Sequence, residues 1–355
     1  NRIVTAVAGA ALAAIAAGGQ ALATPAGPLP VPPPGLTVVQ HAAGPAAPTA
    51  VRYWTPARMA AAVQAGTGPQ ARPVTQAHPV TQAHPFPRVR ALVRKPAAVP
   101  ALRQTPTASL KLTGNTSGAG RRWPSGGAVP AAVGKVFFTL GGQDYVCSGT
   151  LVAGRPADVV LTAAHCVSNG GKPGGTPGWA TNWMFIPGFR NGSLPYGEYT
   201  ARRFFTAPGW TGPQGGTEQY DVAFVQVTVA TLDSEAKTAT PPPGLPVTFA
   251  RSQDAAAASR ASVLGYPAEP PYSGLYLNYC AGPAAASRGS LRTSCAMTAG
   301  DSGGPWLTGV TSGGKGAAVV AVSTYKLSDD SRVLYGAVLG PRARALYQRA
   351  VSTAG

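Results

Sequence analysis

The sequence predicts an all-β fold that ends in a helix, and three observations carry that expectation. From Lys135 onward, runs of β-branched and aromatic residues recur about every ten residues, broken by Gly and Pro. The last run gives way at Pro341 to a stretch through Val351 with a helical pattern, and Pro341 stands where a first helical turn accepts proline. The composition also changes near residue 120, which separates a front segment from the part able to build a core.

Taken in order, the strand runs begin with Lys135-Val136-Phe137-Phe138-Thr139-Leu140, stopped by Gly141-Gly142. Tyr145 to Val152 and Val159 to Thr162 follow, and Val222 to Val227 is a fourth apolar run. Thr240-Pro241-Pro242-Pro243-Gly244 reads as a linker inside the domain, because successive prolines cannot donate to a ladder. Strand signals resume at Val247–Phe249, Ala261–Leu264, Ala318–Val322 and Val333–Tyr335.

The front is different in kind. All 12 acidic residues follow position 120, whereas 10 of the 29 basic residues precede it. Residues 24 to 122 are rich in Pro and Ala, and Pro73-Val74-Thr75-Gln76-Ala77-His78 repeats at once as Pro79 to His84. With few large apolar residues and no acids, this stretch is expected to be largely disordered, a basic pro-segment or linker without a packed core. A short helix within Val51–Val63 is its one regular element. Ile3 to Ala17 is an Ala-rich apolar run behind Arg2, and Ala21-Leu22-Ala23 supplies small residues for cleavage, so residues 1–23 read as a secretory signal peptide. An uncleaved anchor is the alternative. Secretion and four cysteines together point to two disulfides, for which three pairings exist.

A net charge of +17 invites a nucleic-acid reading, but no nucleic-acid motif is present. The excess of Ala, Gly, Pro and Arg is also what a GC-rich coding bias produces. An anionic cell envelope is the expected neighbour, and nucleic acid is not an expected partner. His78 and His84 are read as incidental to the repeat, so no metal and no cofactor are expected.

Three contexts carry chemistry. Thr298 to Leu307 contains Gly300-Asp301-Ser302-Gly303-Gly304-Pro305. Leu161-Thr162-Ala163-Ala164-His165-Cys166 lies upstream, and Tyr220-Asp221-Val222-Ala223-Phe224-Val225 lies between. A serine hydroxyl is a poor nucleophile unless a base stands within hydrogen-bond reach and a third group orients that base. Ser302, His165 and Asp221 fit those roles, with the backbone N–H groups of Gly300 and Ser302 as oxyanion donors. Asp158, Glu218 and Asp233 are weaker candidates for the acid, since only Asp221 directly opens an apolar strand. No histidine after residue 84 other than His165 is available as base.

Over about residues 130 to 350 these contexts resemble the chymotrypsin-like (trypsin-like) serine peptidases, in particular the bacterial secreted branch. The resemblance implies two six-stranded antiparallel β-barrels, about 130–238 and 245–340, a terminal helix at 341–352, and a peptidase domain spanning 123–355. It implies the pair Cys147–Cys166, which closes the histidine loop; Cys280–Cys295 then remains, away from the commonest family position. It places Ala296 at the floor of the specificity pocket, followed by Met297, with Ser323, Thr324 and Tyr325 lining the cleft and Ser323 supporting Asp221. Without an acid at Ala296, an apolar side chain is the expected preference. The family start that pairs with Asp301 after activation, resembling Ile-Val-Gly-Gly, is missing after Arg122.

The expected activity is thus secreted serine endopeptidase action on protein or peptide substrates, by a monomer. A non-catalytic binding or adhesive protein on the same scaffold and a serine esterase are the alternatives. The front segment reads either as a stalk or as an inhibitory propeptide removed near Arg121-Arg122.

Overall fold

The computed structural model describes residues 38–64 and 116–352, apart from short internal stretches (45–46, 117, 125, 155–157, 172–177, 214–215, 231–241, 252–259, 288, 311–316 and 328–329). The expected signal peptide, the histidine repeat, and Thr240 and Pro241 of the proline linker lie outside the described residues.

The front supplies strand β1 (Val39–Ala42), helices α1 (Ala47–Tyr53) and α2 (Pro56–Ala61), and the two-residue strand β2 (Val63–Gln64). Thr55 caps α2 by accepting from the Arg58 N–H, with Pro56 in the first turn. A short β3 (Arg121–Arg122) and α3 (Ala128–Ala132) lead into the first sheet. That sheet holds β4 (Val133–Leu140), β5 (Gln143–Val152), β6 (Val159–Thr162), β7 (Thr181–Pro187), β8 (Glu198–Thr206) and β9 (Ala223–Ala230). Its ladder runs β8–β7–β4–β5–β6–β9 and returns to β8, so six strands close into a barrel, and β1 pairs with the Arg203–Thr206 stretch of β8 that β7 leaves unpaired. Phe185, Phe204, Phe205, Phe224, Leu161 and Met184 are fully buried there.

The second sheet comprises β10 (Ala261–Gly265), β11 (Asn278–Gly282), β12 (Ala285–Ser287), β13 (Ser290–Ser294), β14 (Pro305–Thr308), β15 (Ala318–Leu327) and β16 (Asp330–Val338). Its order is β12–β13–β16–β15–β14–β10–β11–β3, all antiparallel. The expected second six-stranded barrel is not closed by its ladder. β3 pairs with the outer edge of β11, and β12 folds back on β13, so the two edges that would meet are each taken. The disulfide Cys280–Cys295 joins β11 to the residue just after β13, bridging those edges covalently.

Helix α4 (Pro341–Ser352) ends the described chain, at the expected place. Ala343, Leu346, Ala350 and Val351 face the first barrel, and Gln226 of β9 donates its side-chain N–H to the Ala350 carbonyl at 2.7 Å. Two expectations change. Val247–Phe249 forms no strand, only a single bridge from Val247 to Val319. The expectation of a coreless front fails over Val39–Ala62, where Trp54 is 2 % exposed and packs on Phe137. Large aromatic residues at a few positions were enough to dock a segment whose average composition is polar and proline-rich.

Candidate active site

Local backbone geometry brings the three residues together. β6 pairs with β9 so that Thr162 faces Ala223. Three residues after Thr162 the chain turns through a 3-10 helix, Ala164–Cys166, which presents His165. Two residues before Ala223 stands Asp221, after the 3-10 turn Glu218–Tyr220. The register of two barrel strands therefore sets the pair side by side. His165 Nδ1 lies 2.8 Å from Asp221 Oδ2, and the His165 backbone N–H donates to Oδ1 at 2.9 Å. A carboxylate only accepts, so Nδ1 carries the proton and Nε2 is left as the base. Both side chains are buried. The disulfide Cys147–Cys166 ties the histidine turn to β5.

Ser302 sits in the turn before β14. Gly300 and Gly303 have φ of +98° and +78°, which side chains oppose. A Cβ at Gly303 would also stand 2.2 Å from Thr162 Oγ1. The Ser302 carbonyl accepts from the Ser148 N–H at 2.7 Å and lies 3.8 Å from Cys166 Sγ, beside the histidine turn. Ser302 Oγ and His165 Nε2 are both buried, and neither has a hydrogen-bond partner. The Ser–His hydrogen bond is thus not formed in this state. Such bonds are often long before substrate binds. Among the described residues, the backbone N–H groups of Gly300 and Ser302 meet no acceptor, so both are free to donate.

The weaker acid candidates stand elsewhere. Glu218 opens the turn before Asp221, Asp158 is exposed before β6, and Asp233 lies outside the described residues. Ser323 is fully buried in β15, where its Oγ accepts from Trp306 Nε1 at 3.2 Å. Accepting from the indole leaves the Ser323 O–H to donate, and this hydroxyl is among the groups that hold the Asp301 carboxyl down. Thr324 Oγ1 donates to the Tyr335 carbonyl, and Tyr325 stacks on Tyr335 at 4.7 Å. Ala296 donates its N–H to the Gly118 carbonyl at 2.6 Å, and Met297 is fully buried in the core of the second sheet. His41, counted with the coreless front, belongs to the folded unit and stacks on Trp179 at 4.7 Å.

Three residues near the site, Ser148, Lys135 and Lys326, escaped the sequence reading, and the surroundings of Asp301 were not foreseen. Ser148 Oγ donates to the Gly300 carbonyl and accepts from the Tyr266 N–H, both at 2.8 Å. Its position next to Cys147 was visible, but its partners are 118 and 152 residues away. Lys135 is buried, donates to the Gly274 carbonyl at 2.8 Å, and stands within 5.4 Å of the Phe137 and Phe189 rings. Burial lowers its amine to about 7. Lys326 donates to the Cys295 carbonyl at 2.9 Å, placing a cation beside Ala296. Asp301 is fully buried. Burial raises it to about 7, against the opposing pull of Lys326, His165 and the Ser323 hydroxyl.

Cys147, His165 and Cys166 bring three metal-type donor atoms close together. Both sulfurs are spent in the disulfide, and Nδ1 faces Asp221, so the set offers no thiolate to a cation.

A closed barrel beside a second antiparallel sheet, with a His–Asp pair and a Gly-flanked serine between them, defines the chymotrypsin-like fold class. The chain belongs to the trypsin-like serine peptidase family. Residues 147–314 match the family described as trypsin-like peptidase domain. The chain is 31 % identical to protease Anisep from Arthrobacter nicotinovorans, covering 66 % of this chain and 100 % of that one, with a TM-score of 0.54. It is 30 % identical to the thermostable serine protease AL20 from an extremophilic microorganism, covering 63 % and 98 %, with a TM-score of 0.52. A Glu endopeptidase structure, 17 % identical with a TM-score of 0.50 and covering 66 % and 97 %, shares the fold. A curated relative, the extracellular metalloprotease of Bacillus subtilis (strain 168), is 39 % identical over 67 residues, and this match spans 19 % of each chain.

Proposed function

We propose that the chain is a secreted serine endopeptidase in which Ser302 is the nucleophile, His165 the base and Asp221 the orienting acid. The buried His165–Asp221 pair, 2.8 Å apart and beside the Ser302 backbone, is the observation that carries the reading. Ser302 Oγ attacks the carbonyl carbon of a peptide bond and gives its proton to His165 Nε2. The N–H groups of Gly300 and Ser302 donate to the resulting oxyanion. The tetrahedral species collapses as His165 returns the proton to the leaving amine, which forms an acyl-enzyme on Ser302. Water then attacks the acyl carbon with His165 again as base, and Ser302 is released.

Export is supported by the Ala21-Leu22-Ala23 site, by the two disulfides, which suit an oxidising compartment, and by the word extracellular in the name of one relative. The peptidase domain is drawn from Thr116, because Thr116 donates its N–H to the Ala281 carbonyl upstream of the dibasic pair. Arg121 and Arg122 pair with Tyr279 and Asn278 in the ladder, which argues for trimming elsewhere in the front. Ala296 and Met297 support an apolar preference, and Lys326, held by carbonyls, is the group that would shift it toward acidic side chains.

The test is hydrolysis of a peptide library by the pure protein. Ser302→Ala abolishes turnover under this reading, and turnover that survives it rules the reading out. Peptide cleavage alongside ester cleavage separates the endopeptidase from the esterase.

A further inference from the structure

The front segment reads as a stalk or as a propeptide removed near Arg121-Arg122, and the placement of residues 38–64 opens a third reading. β1 pairs with β8 at four positions, from Val39↔Thr206 to Ala42↔Arg203. β7 takes only the Tyr199–Thr200 part of that edge, so β1 occupies the half left free. Trp54 is the apolar anchor. It packs at 5.4 Å on Phe137, and its Nε1–H donates at 2.5 Å to the carbonyl of Asn182. Asn182 has φ of +50°, and the β4–β7 ladder shifts register next to it, so the acceptor for Trp54 is set by an irregularity in the barrel itself. Around this anchor, Tyr53 OH donates to Asp144 Oδ1 at 2.8 Å, and the Arg58 guanidinium lies 3.6 Å from Asp144 Oδ2. The His41 ring stacks on Trp179, which in turn stacks on Phe204 at 6.0 Å.

These contacts reach the two arms that hold the site. Trp179 bridges to Ser168, and Ala180 donates to the Val167 carbonyl, just beyond the His165 turn. Thr206, facing Val39, also faces Ala223, two residues past Asp221. A buried aromatic anchor, an edge strand and a charged rim make up a specific protein interface rather than passing contact. The Anisep match covers 66 % of this chain and all of that one, so a third of this chain has no counterpart there.

We propose that residues 38–64 are a permanent accessory segment of this protein, which stays docked non-covalently on the first barrel when the chain is cut between Gln64 and Thr116. The surface it occupies is built from Phe137, Asp144, Trp179, Asn182 and the free half of the β8 edge. The proposal holds whether or not Ser302 is a nucleophile.

The test uses the full chain carrying Ser302→Ala, to exclude self-cleavage, digested with trypsin. Arg88, Arg90 and Arg103 offer cleavage sites between the two parts. The digest is passed through a native sizing column, and the peak holding the barrels is read by mass spectrometry. Under the proposal the fragment carrying residues 38–64 co-elutes with the barrels in near-equal amount, with Arg52 uncut. Trp54→Ala lowers the retained share at least tenfold, and the milder His41→Ala about threefold. Separate elution of the fragment, early cutting at Arg52, or equal retention in both variants would overturn it.

Discussion

Asp221 takes both of its hydrogen bonds from a single residue: His165 donates its backbone N–H to Oδ1 and its ring Nδ1–H to Oδ2. Backbone and ring are thereby fixed together, so the imidazole can neither swing nor change tautomer without breaking a buried bond. The arrangement rests on the β6–β9 register, which makes the orientation of the base a property of the barrel core. Asp221→Asn is expected to lower kcat for peptide hydrolysis about 10³- to 10⁴-fold with little change in KM, because an amide favours the wrong tautomer. Steady-state kinetics on one peptide substrate check this.

Ser148 holds the oxyanion loop from the other barrel. Ser148→Ala leaves the Gly300 carbonyl and the Tyr266 N–H without their buried partner, at a cost of about 1–3 kcal/mol each. A small displacement of Gly300 then moves an oxyanion donor. A tenfold to hundredfold fall in kcat with KM unchanged is expected, roughly what a misplaced catalytic group costs. Thermal unfolding and kinetics on the same preparation read both effects.

Two buried groups give opposite pH signatures. Asp301 is raised from 3.8 to about 7, so the folded state binds the extra proton and stability falls as pH rises from about 4 through 7. The linkage amounts to about 4 kcal/mol at full ionisation. Asp301→Asn should match the parent at pH 4 and exceed it increasingly up to pH 8. Lys135 is lowered from 10.5 to about 7, so its penalty is complete below pH 7 and fades as pH rises toward 10.5. Lys135→Met should be stabilised most at pH 6 and lose that advantage by pH 10. Melting temperatures across pH 4 to 10 test both signs.

The disulfide Cys280–Cys295 closes a loop with a sequence separation of 15 and joins two sheet edges that do not pair. Replacing both cysteines by serine should cost about 3 kcal/mol in denaturant unfolding, by the chain-entropy estimate for such a loop. It should also loosen Ala296, the residue after Cys295. Cleavage-site profiling of the variant would show a broadened preference.

The fold was legible where local pattern and tertiary burial agree. Val159–Thr162, Ala261–Leu264 and the helix from Pro341 stand where they were expected. β7 was overlooked although Trp183–Ile186 is an unbroken apolar run, whereas in β8 Arg202 and Arg203 interrupt the pattern and only the barrel's ladder makes it a strand. Val247–Phe249 looked like a strand by propensity, but its neighbours leave it only one bridge. The second sheet stayed open because β3 and β12 take the edges that barrel closure needs, and pairing across more than 150 residues leaves no mark on composition. At the site, His165, Asp221 and Ser302 stood out as candidates because each sits in a short specific context. Ser148, Lys135 and Lys326 were not, because their partners are distant in sequence and the residues themselves are commonplace. The docked front was missed because an average over a proline-rich stretch hides one well-placed tryptophan.

The most direct test of the central claim is labelling with a fluorophosphonate, followed by mass-spectrometric mapping of the modified residue. The account predicts a single adduct on Ser302, abolished in His165→Ala and slowed by orders of magnitude in Asp221→Asn. An unlabelled Ser302 in protein with both disulfides intact, or labelling that persists without His165, would contradict a working triad.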